Sequence, residues 1–200
     1  EGSSGSLSLY PLKDKSIMES FSDDAFITAE NLVVNIEENH SNRLAFLTNE
    51  LSEDLLLSGA PIVKIRASID KPVTNLTAML IDYDGESSKI ITRGWMDPQN
   101  YESISYSKPI TPNEEYTFEW GMQPNDYVFK AGHKIGIVIM QSDYSYTIRP
   151  KAGTILNVSL GDSEVILPIV GNLDEVPEVD KSGLQEVLDE IKSENLEERA

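Results

Sequence analysis

Two histidines limit the acid–base chemistry that this 200-residue chain can perform. His40 lies in a polar run and is expected in an exposed loop, whereas His133 follows Gly132 at the start of a predicted strand. An imidazole at a strand start usually hydrogen-bonds the neighbouring turn. A serine hydrolase needs a nucleophile, a base and an orienting acid, and the Gly-x-Ser-x-Gly signature of such a serine is absent from the sequence. We therefore predict no catalytic residue in this chain.

Metal chemistry has little support in the residue types. The sequence contains no cysteine, which excludes disulfides and thiolate metal sites, and its two histidines are far apart. Asp82, Asp84 and Glu86 lie around a predicted hairpin turn and offer the oxygen ligands that calcium prefers. A solvated β-turn is the favoured interpretation of this segment, and calcium binding stays open. We predict no cofactor.

Aromatic residues are concentrated between residues 95 and 146, and some of them are candidates for contact with a ligand or another domain. Trp95 and Trp120 lie in predicted strands, where a core position is the favoured interpretation. Tyr144 and Tyr146 follow Asp143 in a loop-like stretch. We select Trp95, Asp143, Tyr144 and Tyr146 as candidates for contact with a glycan or peptide ligand, or with a partner domain.

The charge of the chain excludes two classes of partner. Its 34 acidic and 16 basic side chains give a formal net charge of −18. Nucleic acids and anionic membranes both require clustered basic residues, so neither is an expected partner. No run of 18 apolar residues is present, and membrane insertion is therefore not expected either.

Short segments that alternate apolar and polar residues dominate the chain from residue 51 onward. Gly, Pro, Asn and Asp separate them, and no helical period of ten or more residues occurs before Val170. The predicted strands are residues 62–69, 76–83, 89–95, 115–120, 134–141, 154–160 and 164–170, with a tight connection at 161–163. This pattern predicts an all-β fold, a jelly-roll β-sandwich of antiparallel strands with a short C-terminal helix.

Composition divides the chain into three parts. Residues 1–43 are predicted to be a linker and N-terminal strap, residues 44–172 the jelly-roll domain, and residues 173–200 an acidic linker with one amphipathic helix. That helix would begin at a capping box formed by Ser182 and Gln185. Its apolar stripe would consist of Leu184, Val187, Leu188 and Ile191. Because the sequence begins at Glu1 without a signal peptide, we expect an internal fragment of a larger protein.

Six short motifs occur in a characteristic order between residues 44 and 171. They are Phe46-Leu47-Thr48, Leu57-Ser58-Gly59-Ala60-Pro61, the strand and hairpin at 78–85, Thr92-Arg93-Gly94-Trp95, the Gly-His strand entry at 129–136, and the closing segment at 165–171. Their order and spacing resemble the C-terminal domain of Xaa-Pro dipeptidyl-peptidases and cocaine-esterase-like serine hydrolases. The resemblance implies a jelly-roll domain packed on an α/β-hydrolase catalytic domain of the same protein. It also implies that the Ser–His–Asp triad lies upstream, that this fragment alone is inactive, and that the parent releases Xaa-Pro dipeptides from peptide N-termini without a cofactor.

The tail carries a resemblance of its own. Residues 180–192 are similar to the first helix of the three-helix repeats found in Gram-positive cell-surface proteins. This resemblance implies an extracellular or cell-wall-associated location, with a cytoplasmic location as the alternative. A second hypothesis of a different class follows, namely a carbohydrate-binding or adhesion module of a Gram-positive surface protein.

Overall fold

The structure, a computed structural model, describes residues 4–9, 12, 14–148, 150 and 152–171. This part of the chain forms twelve strands, one single-turn helix and one 3-10 turn. In chain order the elements are β1 (Ser4–Ser6), β2 (Met18–Ser22), α1 (Ala29–Leu32), β3 (Leu44–Leu47), β4 (Leu55–Gly59), β5 (Ile62–Ile69), β6 (Leu76–Tyr83), β7 (Ser88–Met96), the 3-10 turn (Pro98–Asn100), β8 (Glu115–Gly121), β9 (Asn125–Phe129), β10 (Lys134–Met140), β11 (Ile155–Ile166) and β12 (Ile169–Val170). The all-β prediction is confirmed, and the predicted C-terminal helix lies outside the described residues.

The strands form three sheets. A five-stranded sheet has the order β1-β3-β10-β6-β7, a four-stranded sheet has the order β2-β11-β5-β8, and a three-stranded sheet has the order β12-β4-β9. Each neighbouring pair is antiparallel except β1 and β3, which run parallel. The two larger sheets face each other as a sandwich, because side chains from both meet in one buried cluster.

The core of the sandwich follows from period-2 patterning. Ile135, Ile137 and Ile139 of β10 point inward, and they share the main apolar cluster with Ile65 of β5 and Phe118 of β8. Every residue of β6 is buried, which a strand with one solvated face would not show. The outer face of β6 must therefore be covered as well.

A second apolar layer covers the outer face of the five-stranded sheet. Ala29, Leu32 and Ile36, in and after α1, pack there on Met79 and Val138. The Thr28 side chain accepts a hydrogen bond from the Asn31 amide and caps α1 at its N-terminus. The segment that carries α1 thus acts as a lid over the sheet, and it fixes Glu30 beside the edge strand β7.

The sequence prediction of two strands around a turn at 161–163 is wrong. Residues 155–166 form one long strand, and its pairing with β5 shifts register between Ser159 and Glu164. The Ser163 hydroxyl donates to the Ser159 carbonyl and accepts from the Arg66 amide, so the extra residues form a β-bulge. Gly161 lies within this bulge, where an added Cβ would come 2.5 Å from Lys15 Cα.

Parts of residues 1–43 contribute strands to the sandwich. β1 extends the five-stranded sheet beside β3, and β2 pairs with β11 in the four-stranded sheet. Leu7 also donates a backbone hydrogen bond to Leu47. The division of the chain at residues 43 and 172 stays a prediction.

Candidate functional site

Four long connections meet at one end of the sandwich, which we call the loop end. They are residues 23–43, 70–75, 97–114 and 141–154. The register places them together, because Ile69 at the end of β5 pairs with Leu156, Met96 at the end of β7 pairs with Leu76, and Met140 at the end of β10 pairs with Thr77. Loops at one end of a rigid sandwich are where binding residues commonly lie.

Arg93 of β7 is the central side chain at the loop end. It pairs across the sheet with Met79, so its side chain lies on the outer face beside the lid. The guanidinium donates to Glu30 at 2.7 Å and to Asp143 at 3.1 Å. Burial works against the charged form, but these two carboxylates hold the pKa of Arg93 above its ordinary value. Arg93 therefore ties both the lid and the 141–154 connection to the edge strand.

Asp143 is the buried partner in this cluster. Its side chain is 1% exposed and accepts from Arg93 and, at 3.0 Å, from the indole Nε1 of Trp95. Its backbone carbonyl accepts from the amides of Tyr146 and Thr147, which turns the loop back over β7. A carboxylate this deeply buried is tolerated because its partners neutralise and hydrogen-bond it.

Tyr146 closes the cluster from outside. Its ring lies 5.3 Å from that of Trp95 at an interplanar angle of 30°, and the Arg93 guanidinium carbon lies 4.9 Å from the Tyr146 ring centre. The structure thus brings together three of the four candidates chosen from the sequence. Tyr144 is half-buried in the same turn.

Two members of the cluster, Arg93 and Glu30, were missed in the sequence. A signal for Arg93 was available, because Arg93 and Trp95 are two residues apart on one strand and must share a face. No local signal could have placed Glu30, which reaches Arg93 only through the fold of the lid. Trp120 lies in the core as predicted, whereas Trp95 is half-buried at the sheet edge.

A shallow cavity of about 190 Å³ lies beside the cluster. It is lined by Ile90, Ile91, Thr92, Arg93, Trp95, Gln123, Pro124, Asn125 and Tyr146. The segment after β8 forms its second wall, since the Gln123 amide donates to the Arg93 carbonyl and the Asn125 side chain donates to the Ile91 carbonyl. These bonds also occupy the free edge of β7, which would otherwise be exposed for pairing.

His133 belongs to a separate hydrogen-bonded group. Its Nδ1 lies 2.8 Å from Asp82, and the Tyr127 hydroxyl donates to the same carboxylate at 2.6 Å. Burial, together with this hydrogen bond, raises the pKa of Tyr127 to about 12. His40 accepts a hydrogen bond from the Asn42 amide. Both imidazoles therefore have structural partners within the domain.

Asp84 accepts hydrogen bonds from within its own turn. The amides of Glu86 and Ser87 and the Ser87 hydroxyl donate to it, and these bonds lower its pKa to about 2. Asp82 is directed away from this turn, toward His133 and Tyr127. Across the described residues, no three histidine or acidic side chains converge closely enough to share a metal ion.

The described helices also fall short of the length and hydrophobicity that a bilayer-spanning helix requires.

Comparison of the fold with solved structures defines the class of protein. An α-amino acid ester hydrolase matches with a TM-score of 0.65 and 19% identity over 80% of this chain and 34% of its own. An aminopeptidase from a marine sediment Thaumarchaeota archaeon matches with a TM-score of 0.69 and 15% identity over 84% of this chain and 35% of its own. The chain is thus a β-sandwich domain with a fold that also occurs as one part of larger hydrolase chains.

The sequence comparison is more specific. Residues 3–179 match the family described as the X-Pro dipeptidyl-peptidase C-terminal non-catalytic domain, and the chain belongs to that family. A Bacillus anthracis protein assigned as an Xaa-Pro dipeptidyl-peptidase is 56% identical over 153 residues, which are 76% of this chain. The chain spans only 25% of that relative. The resemblance inferred from the six motifs is confirmed.

Proposed function

We propose that this domain is the accessory module of an Xaa-Pro dipeptidyl-peptidase. In this proposal an α/β-hydrolase domain of the same protein supplies the Ser–His–Asp triad, and the parent cleaves Xaa-Pro dipeptides from peptide N-termini. The observation that carries the proposal is the family match over residues 3–179 in a chain that spans a quarter of its Bacillus anthracis relative. The arrangement of charges supports it, because Arg93 is neutralised by Glu30 and Asp143 rather than left facing a substrate.

A chimera tests this proposal. The chain replaces the matching quarter of the Bacillus anthracis relative, and hydrolysis of a chromogenic Xaa-Pro substrate is measured for the chain alone, the chimera and the intact relative. We expect no turnover by the chain alone, and turnover by the chimera within about tenfold of the intact relative, a barrier difference of about 1.4 kcal/mol. Robust hydrolysis by the chain alone would refute the placement of the triad upstream. An inactive chimera beside an active relative, or no turnover by either, would refute the accessory role.

A glycan-binding or adhesion role is the second candidate. It is favoured by the cavity beside Trp95 and Tyr146, where aromatic rings and polar side chains lie together as they do around bound sugars. Against it, Tyr146 covers part of the Trp95 ring, and the indole N–H of Trp95 is already bonded to Asp143. A glycan array probed with the chain tests this role. Selective binding that is lost on Tyr146→Ala would favour it over the accessory role.

Our proposal for localisation is an extracellular or cell-wall-associated protein of a Gram-positive bacterium. It is supported by the similarity of residues 180–192 to surface-protein repeats. The similarity to surface-protein repeats falls on residues outside the described part of the chain. Fractionation of the source cells with an antibody to this domain tests the proposal, and signal confined to the cytoplasm would overturn it.

A further inference from the structure

The most exposed apolar side chains of this domain lie at one end of the sandwich. Among the described residues, the four large apolar side chains with the highest exposure are Ile104 at 97%, Ile148 at 90%, Phe26 at 71% and Tyr146 at 64%. All four lie in the long connections at the loop end. Scattered exposed apolar residues are normal on soluble proteins, but a concentration of them at one end marks an interaction surface.

All four loop-end connections are linked to one another by hydrogen bonds. Ser142 donates to Asp23 through its amide and its hydroxyl, which joins the 141–154 connection to the one that carries Phe26. The Asn75 side chain donates to the Ile148 carbonyl, and the Gln99 side chain donates to the Pro72 carbonyl. These bonds present the exposed apolar side chains on an ordered surface, which reduces the entropy lost when a partner binds.

The chain also enters the domain at the loop end. Ser4 of β1 pairs with Ala45, next to the first residue of β3, and β1 runs parallel to β3 away from that end. The Ser4 hydroxyl lies 2.9 Å from the Ile36 carbonyl oxygen and 2.6 Å from that of Glu38 in the 23–43 connection, and it can donate to either one. Because the family is defined as a C-terminal non-catalytic domain, the catalytic part of such a protein precedes this point in the chain.

We propose that the loop end is the docking face for the catalytic domain, with Phe26, Val73, Ile104, Tyr106, Tyr146 and Ile148 as its apolar contacts. This inference rests on the proposed function and adds the surface through which the domain acts. The occupant follows from the chain path, since the preceding polypeptide enters the domain at this same end of the sandwich. Arg93, Asp143 and Glu30 then serve as positioning residues. They hold the turn at residues 143–147, which carries Tyr146, and the lid in the conformation on which the catalytic domain packs.

The cysteine-free sequence allows a direct test by single-cysteine labelling. Ile104→Cys and Ile148→Cys are made at the loop end, and Glu86→Cys is the matched control in the exposed 84–87 turn at the opposite end. Maleimide labelling at each position is followed by peptide mass spectrometry in the isolated chain and in the chimera. We expect labelling at positions 104 and 148 to slow about tenfold or more in the chimera, because interface cores exclude water and reagent, while labelling at position 86 stays unchanged.

The outcomes separate this inference from the proposed function. An active chimera in which positions 104 and 148 label as fast as in the isolated chain would overturn the docking face alone. Slowing at position 86, with or without slowing at the loop end, would also count against a loop-end face. An inactive chimera beside an active intact relative would count against the accessory role itself.

Discussion

Arg43 offers the sharpest test of how the lid is held on the sandwich. Its side chain is fully buried, and within the described part of the chain its hydrogen-bond partners are a hydroxyl and carbonyls rather than a carboxylate. The guanidinium donates instead to the Ser4 hydroxyl and to the carbonyls of Asn35, Ile36 and Glu38, at 2.9 to 3.2 Å. Burial lowers the pKa of Arg43, as expected for a cation removed from water. We predict that Arg43→Met strongly destabilises the domain.

The magnitude follows from these contacts. Four hydrogen bonds from a charged donor contribute about 1.5–3 kcal/mol each, or about 6–12 kcal/mol together. The variant no longer carries the desolvation penalty of a buried charge, which is several kcal/mol in the folded state. The Asn35 carbonyl keeps a bond from the Glu38 amide, whereas the single Ser4 hydroxyl proton can reach either the Ile36 or the Glu38 carbonyl, so one of these two loses its donor. The net loss expected for Arg43→Met is about 3–5 kcal/mol, within the range found when buried charge networks are broken.

Urea unfolding followed by tryptophan fluorescence measures this loss as a change in the free energy of unfolding. Arg66→Met is the matched control, because Arg66 forms an exposed ion pair with Glu115 on the four-stranded sheet. An exposed pair of this kind contributes about 0–1 kcal/mol. If Arg43→Met stayed within about 1 kcal/mol of the unmutated chain, or if both substitutions cost the same, the carbonyl cluster would not be what anchors the lid.

Two further substitutions test packing and pH dependence. Gly94→Ala would place a methyl carbon 2.5 Å from the Gly121 carbonyl oxygen, so we expect the free energy of unfolding to fall by about 1–3 kcal/mol in the same assay. Gly121→Ala is the control, because its added methyl carbon would have its nearest contact at 3.9 Å. This second substitution should change the free energy of unfolding by less than about 0.5 kcal/mol. Burial raises the pKa of Asp23 above its ordinary value of 3.8, against the hydrogen bonds from Ser142. Because the folded state then holds the proton more tightly, this carboxyl stabilises the domain most below pH 3.8 and loses that contribution as the pH rises through the folded pKa. Asp23→Asn should remove this contribution, so that the change in unfolding free energy from about pH 4 to about pH 7 is more positive in the variant than in the unmutated chain.

Equal effects of the two glycine substitutions would show that β7 and the end of β8 do not approach as closely as described. An unchanged pH dependence in Asp23→Asn would show that the carboxyl is better hydrated than its position indicates.

The strands that the sequence predicts well are those with a strong local pattern. β5 and β6 were predicted with their observed bounds, because β-branched and apolar residues run between Pro, Gly and Asp turns. β1 and β2 carry little apolar periodicity, and they become strands only because β3 and β11 offer them pairing edges. The bulge in β11 escaped prediction because Gly161-Asp162-Ser163 is equally suited to a turn, and only the pairing with β5 decides between the two.

The candidate site was predictable only in part, for a similar reason. Trp95, Asp143 and Tyr146 could be selected as aromatic or acidic residues near a strand end, but their convergence depends on the turn of the 141–154 connection over β7. The lid was invisible in sequence, because α1 is a single turn and a helix so short has no detectable period. Arg43 illustrates the limit, since nothing in its neighbours indicates that an arginine there is fully buried.

At the loop end the polar side chains are paired with one another inside the surface, whereas the exposed side chains are apolar. This arrangement determines which kind of partner the surface can bind. Arg93, Asp143 and the Trp95 N–H are engaged with one another, so they lose little to desolvation when a second surface covers them. The outward side chains Ile104 and Ile148 have no comparable cover, and burying them is favourable. A ligand read out by hydrogen bonds needs free polar groups, whereas a packed domain needs a stiff apolar surface. The loop end therefore suits a domain contact better than recognition of a small polar ligand.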